Sequence, residues 1–324
     1  MSTVLVTGCD GYLGSRLVAR LKKDGHNVIG WGRRTNPTIL PCCSYFCGDL
    51  LSENAVKRFE SSVGGCFDVI YHLADETNRQ TMAENPLSCC RNSTLAMRHV
   101  LSVFLESAAE RLIYVSTGKV YGDTAADKTR FGKYKPRRVF PKYPSGVLGT
   151  SRWLAETLLR SSPRVSGKTW RIARVFNVYG PGQADDYLVP TLIRKFANTI
   201  DGSISLHGSL DAQRDFVYVD DAVDMLAKTG TLKDSHWADS DFDVGSGEPT
   251  SVSKIAKCVG LLTGYGDGKI LRADAQQSWR ADEPDIEVAC LYHTWGSHGS
   301  SLEEGLSRVI AYEKEKRTHE LSMD

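Results

Sequence analysis

At 324 residues, 41% hydrophobic and 24% charged, the chain has an ordinary globular composition and enough length for one sizeable α/β domain plus a smaller one. Forty basic side chains against thirty-nine acidic leave a net charge of +1, so no global field draws the chain to nucleic acid or to a membrane surface. No run approaches the roughly 18 apolar residues of a membrane span and no basic-then-apolar leader precedes the first strand, which points to a cytoplasmic protein. Its nine cysteines, an odd number, are then reduced thiols rather than a disulfide framework. Cys42, Cys43 and Cys47 lack a second Cys/His pair at finger-like spacing, so no metal site is expected.

Along the chain, short runs rich in β-branched residues alternate with helix-length amphipathic stretches. Val4–Thr7 reads as a strand, Tyr12–Asp24 as a helix, Asn27–Trp31 and Phe67–His72 as strands, Ser93–Ala109 as a helix, Leu112–Ser116 as a strand and Thr150–Arg160 as a helix. Such alternation predicts a parallel sheet covered by helices on both faces. Beyond Gly180 the Gly/Pro turns become denser, and segments such as Ile204–His207 and Phe216–Val219 fall between helices over Leu188–Thr199 and Asp221–Lys228. The fold class is therefore α/β, a doubly wound parallel sheet of the Rossmann type with a smaller, interleaved C-terminal domain for substrate. The expected division gives residues 1–176 and about 209–245 to the nucleotide-binding domain, 177–208 and about 246–312 to the second, and 313–324 to a charged tail.

The first strand runs straight into Thr7-Gly8-Cys9-Asp10-Gly11-Tyr12-Leu13-Gly14. Gly8 permits a tight strand-to-helix turn, Gly11 lets the backbone approach a pyrophosphate, Gly14 lets the helix pack close to the sheet, and the helix N-terminus faces the negative charge. A dinucleotide cradle is the reading, with Asp10, Tyr12 and Leu13 on the same turn. Cofactor choice is made at the end of the second strand, about 20 residues further on, where NAD enzymes place a carboxylate on the ribose hydroxyls. Here that strand ends Gly30-Trp31-Gly32-Arg33-Arg34. Two guanidiniums without a carboxylate favour NADP over NAD, solvated arginines at a strand end being the plain alternative.

Further motifs follow in order: Gly48-Asp49-Leu50, His72-Leu73-Ala74, Asn92, Ser116-Thr117-Gly118-Lys119-Val120-Tyr121-Gly122, Phe176-Asn177-Val178-Tyr179-Gly180-Pro181-Gly182, Arg214-Asp215-Phe216-Val217-Tyr218-Val219-Asp220-Asp221 and Ser301-Leu302-Glu303-Glu304-Gly305. With the glycine turn, this ordered set resembles the extended short-chain dehydrogenase/reductases, in particular the nucleotide-sugar epimerases and dehydratases, over roughly Val4 to Tyr312. The paired arginines resemble the NADP-binding segment of GDP-mannose 4,6-dehydratases. The resemblance implies that Asp49 and Leu50 contact the adenine, that Leu73, Ala74 and Asn92 line the cofactor, that Asn177 contacts a nucleotide-sugar substrate, and that Arg214 and Arg280 grip its diphosphate. It also implies a homodimer built through two helices per subunit.

The resemblance breaks where the chemistry belongs. The family carries a Ser or Thr after the fifth strand, and a Tyr four residues before a Lys at the head of a helix. Thr117 falls on the first position, but Leu148 falls on the tyrosine and Arg152 on the lysine. Leucine cannot carry a proton, and arginine is a poor acid or base although it can hydrogen-bond a ribose. The Asp-Glu pair that dehydratases place after the threonine is Gly118-Lys119, so Lys119 is the candidate replacement acid/base, an exposed loop lysine being its bland alternative. Between Asp123 and Gly146 seven basic residues face two acidic ones, a local patch suited to a polyanionic substrate or an acidic partner, or simply a solvated charge run. Three readings stay open: an atypical NADP-dependent enzyme on a nucleotide-diphosphate sugar or similar phosphorylated metabolite, a catalytically silent NADP-binding sensor or scaffold, and a non-redox isomerase or lyase with a structural cofactor.

Overall fold

The structure, a computed structural model, describes residues 1–35, 44–126, 144–162, 167–199, 203–206, 209–231, 240–265, 270–272, 286–287 and 299–321. Its elements run β1 (Thr3–Thr7), α1 (Tyr12–Lys23), β2 (Asn27–Gly32), β3 (Ser44–Cys47), α2 (Glu53–Val63), β4 (Val69–His72), α3 (Arg79–Glu84), α4 (Pro86–Glu106) and β5 (Arg111–Thr117). A kinked 3-10 segment, Gly118–Ala126, leads toward α5 (Gly146–Arg160), β6 (Thr169–Val175), β7 (Asn177–Tyr179), α6 (Leu188–Ala197), β8 (Ile204–Leu206) and β9 (Gln213–Tyr218). Then come α7 (Val219–Thr231), β10 (Ser240–Val244), β11 (Pro249–Ser251), α8 (Val252–Thr263), β12 (Ile270–Arg272), β13 (Ile286–Glu287) and α9 (Leu302–Leu321).

Seven strands form one parallel sheet in the order β10-β6-β5-β4-β1-β2-β3. The chain winds outward from β1 in one direction, returns, and winds from β4 in the other, so the order reverses between β1 and β4. In an open parallel sheet that reversal opens a crevice at the carboxyl ends of the strands. Strands buried on both faces explain the continuous apolar runs Val4-Leu5-Val6 and Val69-Ile70-Tyr71. On α1, Leu17, Val18 and Leu21 recur at helical spacing and are buried. Trp31 stacks on Phe59 at 4.2 Å between centroids, meets Phe46 edge-on and donates its indole N–H to the Gly48 carbonyl at 3.0 Å, which fixes the end of β2.

Helix α4 starts at Pro86 rather than at Ser93, because a proline in the first turn has no N–H to waste and a preset φ. At its other end the Lys168 ammonium donates to the carbonyls of Phe104, Ser107 and Ala109 at 2.8, 2.9 and 2.6 Å. These acceptors have no partner within the helix, and a cation at a helix C-terminus is also favoured by the backbone dipoles.

The chain divides into two compact units, Met1–Gly122 with Arg138–Val175 and Val223–Val244, and Asp123–Arg137 with Phe176–Ala222 and Gly245–Asp324. Residues 209–222 thus differ from the expected division. Strand β9 hydrogen-bonds to β7, β11 and β13 and to no strand of the seven-stranded sheet, so it belongs to the second unit. That unit also holds the β8–β12 pair and helices α6, α8 and α9. The expected charged tail is not separate either, since α9 continues through it to Leu321.

Replacing Lys168 with Met should remove the donor shared by the Phe104, Ser107 and Ala109 carbonyls, leaving Phe104 with its bond from the Ser107 hydroxyl, and destabilise the protein by about 1–3 kcal/mol, read as a lower urea midpoint at unchanged m-value.

Candidate functional site

The glycine turn lies at the reversal point of the sheet. Gly8 has φ +70°, and a Cβ there would stand 2.7 Å from the Ala74 amide nitrogen, so the turn after β1 is packed backbone to backbone on the segment leaving β4. A side chain on Gly14 would strike the Gly8 carbonyl oxygen at 2.1 Å, which makes the α1 start equally intolerant. Leu73 and Ala74 are therefore brought against Gly8: Leu73 donates to the Thr7 carbonyl at 3.1 Å and Ala74 to the Thr7 hydroxyl at 3.3 Å.

Helix α1 has no side-chain cap, its N-cap being Gly11, whereas Ser52, Asn78 and Ser251 cap α2, α3 and α8 with their own oxygens. Uncapped first-turn amides beside a turn too tight for any Cβ form a ready anion cradle. The backbone thus fits the pyrophosphate of a dinucleotide. At the rim of this turn the Asp10 carboxylate accepts from the Arg33 and Arg34 amides, both at 3.2 Å, while the two arginine side chains are exposed. Asp49 closes its own turn by accepting from the Leu51 amide at 3.0 Å, and the Leu50 carbonyl is 2.7 Å from His99 Nδ1. Asn92 is half-buried on α4 and accepts from the Arg91 guanidinium.

At the end of β5, Thr117 Oγ1 accepts from the Lys119 amide at 3.4 Å. Lys119 is half-buried, and its carbonyl accepts from the Ser145 amide at 3.0 Å. A Cβ on Gly149 would lie 2.6 Å from that same carbonyl, so Lys119 is seated directly on the first turn of α5, beside Leu148. One helical turn on, Arg152 is buried and ion-paired with Asp75, whose other oxygen accepts from Ser93 at 2.6 Å. Asp75 and Ser93 escape sequence reasoning. An aspartate directly after Ala74 is the only signal, and nothing in the spacing pairs it with residue 152. His72 stacks on Tyr114 and shares its Nδ1 with the Thr7 hydroxyl at 2.8 Å. Burial, and secondly the Arg152 charge, push its pKa down to about 3, so it is neutral at pH 7.

A second set of buried charges holds the loop that carries Lys119. Arg174, 1% exposed, grips Glu156 with two hydrogen bonds of 3.0 and 2.6 Å, and Glu156 accepts from Ser116 at 2.6 Å. The Tyr121 hydroxyl accepts from Arg174 at 2.8 Å and donates to Asp243 at 2.7 Å. Arg174 also pairs with Asp241 at 2.9 Å, and Arg160 pairs with Asp241 as well. Burial, then Asp243, hold the Tyr121 phenol well above its ordinary range, so it is a spent hydrogen-bond group rather than a proton carrier.

Within the second unit, β7 and β9 lie side by side with Asn177 opposite Phe216, and the Asn177 amide donates to the Asp215 carbonyl at 3.1 Å. Two residues back along β9 is buried Arg214, whose Nη1 donates to the Gln213 carbonyl at 3.0 Å. The fully buried Asp215 carboxylate accepts from the Ser246 amide and hydroxyl and the Gly247 amide, at 2.6 to 2.8 Å. Asn177 and Arg214 are thus neighbours in one sheet. Arg280, Cys42, Cys43 and the basic residues between Lys128 and Lys142 lie outside the described residues. Among the described residues no group of three His, Cys, Asp or Glu side chains is placed to hold a metal ion, and no helix is long and apolar enough to cross a membrane.

Residues 4–245 match the NAD dependent epimerase/dehydratase family, and the chain belongs to it. UDP-glucuronic acid decarboxylase 1 of Xenopus tropicalis is 27% identical over 98% of this chain and 73% of its own length. YtcB of Bacillus subtilis, an uncharacterized UDP-glucose epimerase, is 26% identical over 95% of this chain and 97% of its own. Among solved structures, MoeE5 in complex with UDP-glucose and NAD is 25% identical, covers 97% of this chain and 99% of MoeE5, and superposes with a TM-score of 0.79.

Because His72 is held neutral when folded but titrates near 6.5 when unfolded, the unfolded state binds the extra proton between those values and stability is lost as pH falls through them. From pH 7 to pH 5 the stability of His72→Gln should fall less than that of the parent, by about 2 kcal/mol, measured as the difference between their urea-unfolding free energies at the two pH values.

Proposed function

We propose that this protein binds a nicotinamide adenine dinucleotide and remodels the sugar of a nucleotide diphosphate, as an epimerase, dehydratase or decarboxylase with an atypical proton carrier. The observation that carries the reading is the turn at Gly8, closed backbone to backbone on Ala74 and leading into a helix without a side-chain cap, an arrangement that suits the pyrophosphate. UDP-sugar chemistry in the names of the decarboxylase and epimerase relatives, and UDP-glucose and NAD in the MoeE5 complex, support the substrate class. When bound, the dinucleotide accepts and returns a hydride at a sugar carbon.

The chain's own residues take the remaining roles. Thr117 hydrogen-bonds the reacting hydroxyl. Lys119, seated against the α5 turn where Leu148 replaces the family's phenol, moves the proton. Leu73, Ala74 and Asn92 line the coenzyme, Asp49 and Leu50 meet its adenine, and Asn177, Arg214 and Arg280 hold the diphosphate of the substrate, guanidinium forks matching its oxygens. Arg33 and Arg34 favour NADP by charge, whereas the Asp10 carboxylate on the same turn, together with the NAD of the MoeE5 complex, speaks for NAD.

A second reading is favoured by one observation. Arg152, in the place of the family's lysine, is buried against Asp75, which leaves its charge internally neutralised and suits a dinucleotide-binding module that does not turn over. Incubation with NAD and NADP and a panel of nucleotide sugars, followed by mass spectrometry and absorbance at about 340 nm, where reduced nicotinamide absorbs, separates the two. Conversion is expected, and Lys119→Met should lower kcat by about 100-fold or more while the dinucleotide Kd stays within about twofold. Dinucleotide binding without conversion of any sugar nucleotide would establish the silent module.

A further inference from the structure

A Rossmann unit reads the adenosine ribose at the carboxyl end of its second strand, and the rule from sequence looks for an acid there. Strand β2 ends Gly32-Arg33-Arg34 and supplies none. The carboxylate at that point comes from the glycine turn itself. Asp10 Oδ2 lies 3.2 Å from the amides of both Arg33 and Arg34, with the Tyr45 hydroxyl at 3.5 Å. Tyr45, on neighbouring β3, donates its hydroxyl to the Arg34 carbonyl at 2.8 Å. The space for this cluster exists because residue 32 has no side chain: a Cβ there would stand 2.6 Å from Asp10 Oδ2 and 2.7 Å from the Tyr45 oxygen. The position of the acid is therefore built, with amide donors, a phenol and an adjacent glycine all fitted to it.

We infer that Asp10 is the residue that selects the coenzyme at its ribose, accepting the 2′-hydroxyl of NAD and repelling the 2′-phosphate of NADP. The inference rests on the dinucleotide reading above. A carboxylate held by two amides carries acceptor lone pairs left over for ribose hydroxyls. The same charge within a few ångströms of a phosphate dianion is repulsive in a partly desolvated turn. Arg33 and Arg34, with exposed side chains, add a general attraction for phosphate that does not cancel a half-buried negative group held by their own amides. Burial and the Asp10 charge hold the Tyr45 phenol above its ordinary range, so it stays protonated and keeps the turn closed.

The test is calorimetric binding of NAD and of NADP to the whole chain, with no substrate and no turnover required. The parent is expected to bind NAD more tightly, and Asp10→Asn, which removes the charge and keeps an acceptor for the turn amides, should move the NADP-to-NAD affinity ratio toward NADP by about tenfold or more. Asp10→Ser should move it the same way and serves if the first variant does not fold. A parent that prefers NADP, or a ratio unchanged in both variants because each dinucleotide weakens equally, overturns the assignment and leaves the dinucleotide reading standing. Failure of the parent to bind either dinucleotide overturns both.

Discussion

Everything at the carboxyl end of β1 depends on one steric constraint: the turn after β1 must touch the turn after β4 with nothing between them. Gly8 supplies the missing Cβ and the positive φ, and the Ala74 amide takes up the space. Two parallel strands that diverge at a reversal of sheet order leave a crevice, and only backbone in contact across its floor exposes amides rather than side chains to an anion. The Thr7 hydroxyl ties the same floor to His72 and Ala74, so the end of β1, the end of β4 and the start of α1 form one piece.

Buried charge is the second organising element of the first unit. Arg152 on α5 with Asp75 and Ser93, and Arg174 on β6 with Glu156, Asp241, Tyr121 and Ser116, put guanidiniums in the buried interior where apolar side chains usually stand. Such pairs contribute little net stability against an apolar replacement, but removing one partner leaves a bare charge that is costly to bury. Their structural effect is to fix geometry. One set ties the segment after β4 to α4 and α5, and the other fixes the loop after β5 to α5, β6 and β10. Lys119 is held in place by that second set through Tyr121 and through the close approach of its carbonyl to Gly149.

Membership in the epimerase/dehydratase family establishes a scaffold that accommodates several reactions, and function on such a scaffold is decided by a few side chains. Here the turn after β1 is closed backbone on backbone, and α5 carries Leu148 in its first turn and Arg152 paired with Asp75.

Over the first 160 residues β1, α1, β2, β4, α4, β5 and α5, the position of the glycine turn and the family were legible in the sequence, because apolar periodicity and glycine placement are local properties, whereas β3, α2 and α3 were not among the expected elements. Strand β6 was not, since Thr-Trp-Arg-Ile-Ala-Arg-Val is interrupted by two arginines, and Arg174 reads as a surface residue until Glu156 is brought to it. Helix α4 extends a full two turns before its apolar stripe begins, and β9 leaves the large sheet for another, neither of which has a local signal. The sequence by itself determined the fold class and the lack of an acid at the end of β2, both written in consecutive residues. Tertiary structure alone decided that Asp75 neutralises Arg152, across 77 positions of chain, and that Asp10 occupies the end of β2, because such pairings depend on which chain ends the sheet brings within hydrogen-bonding distance.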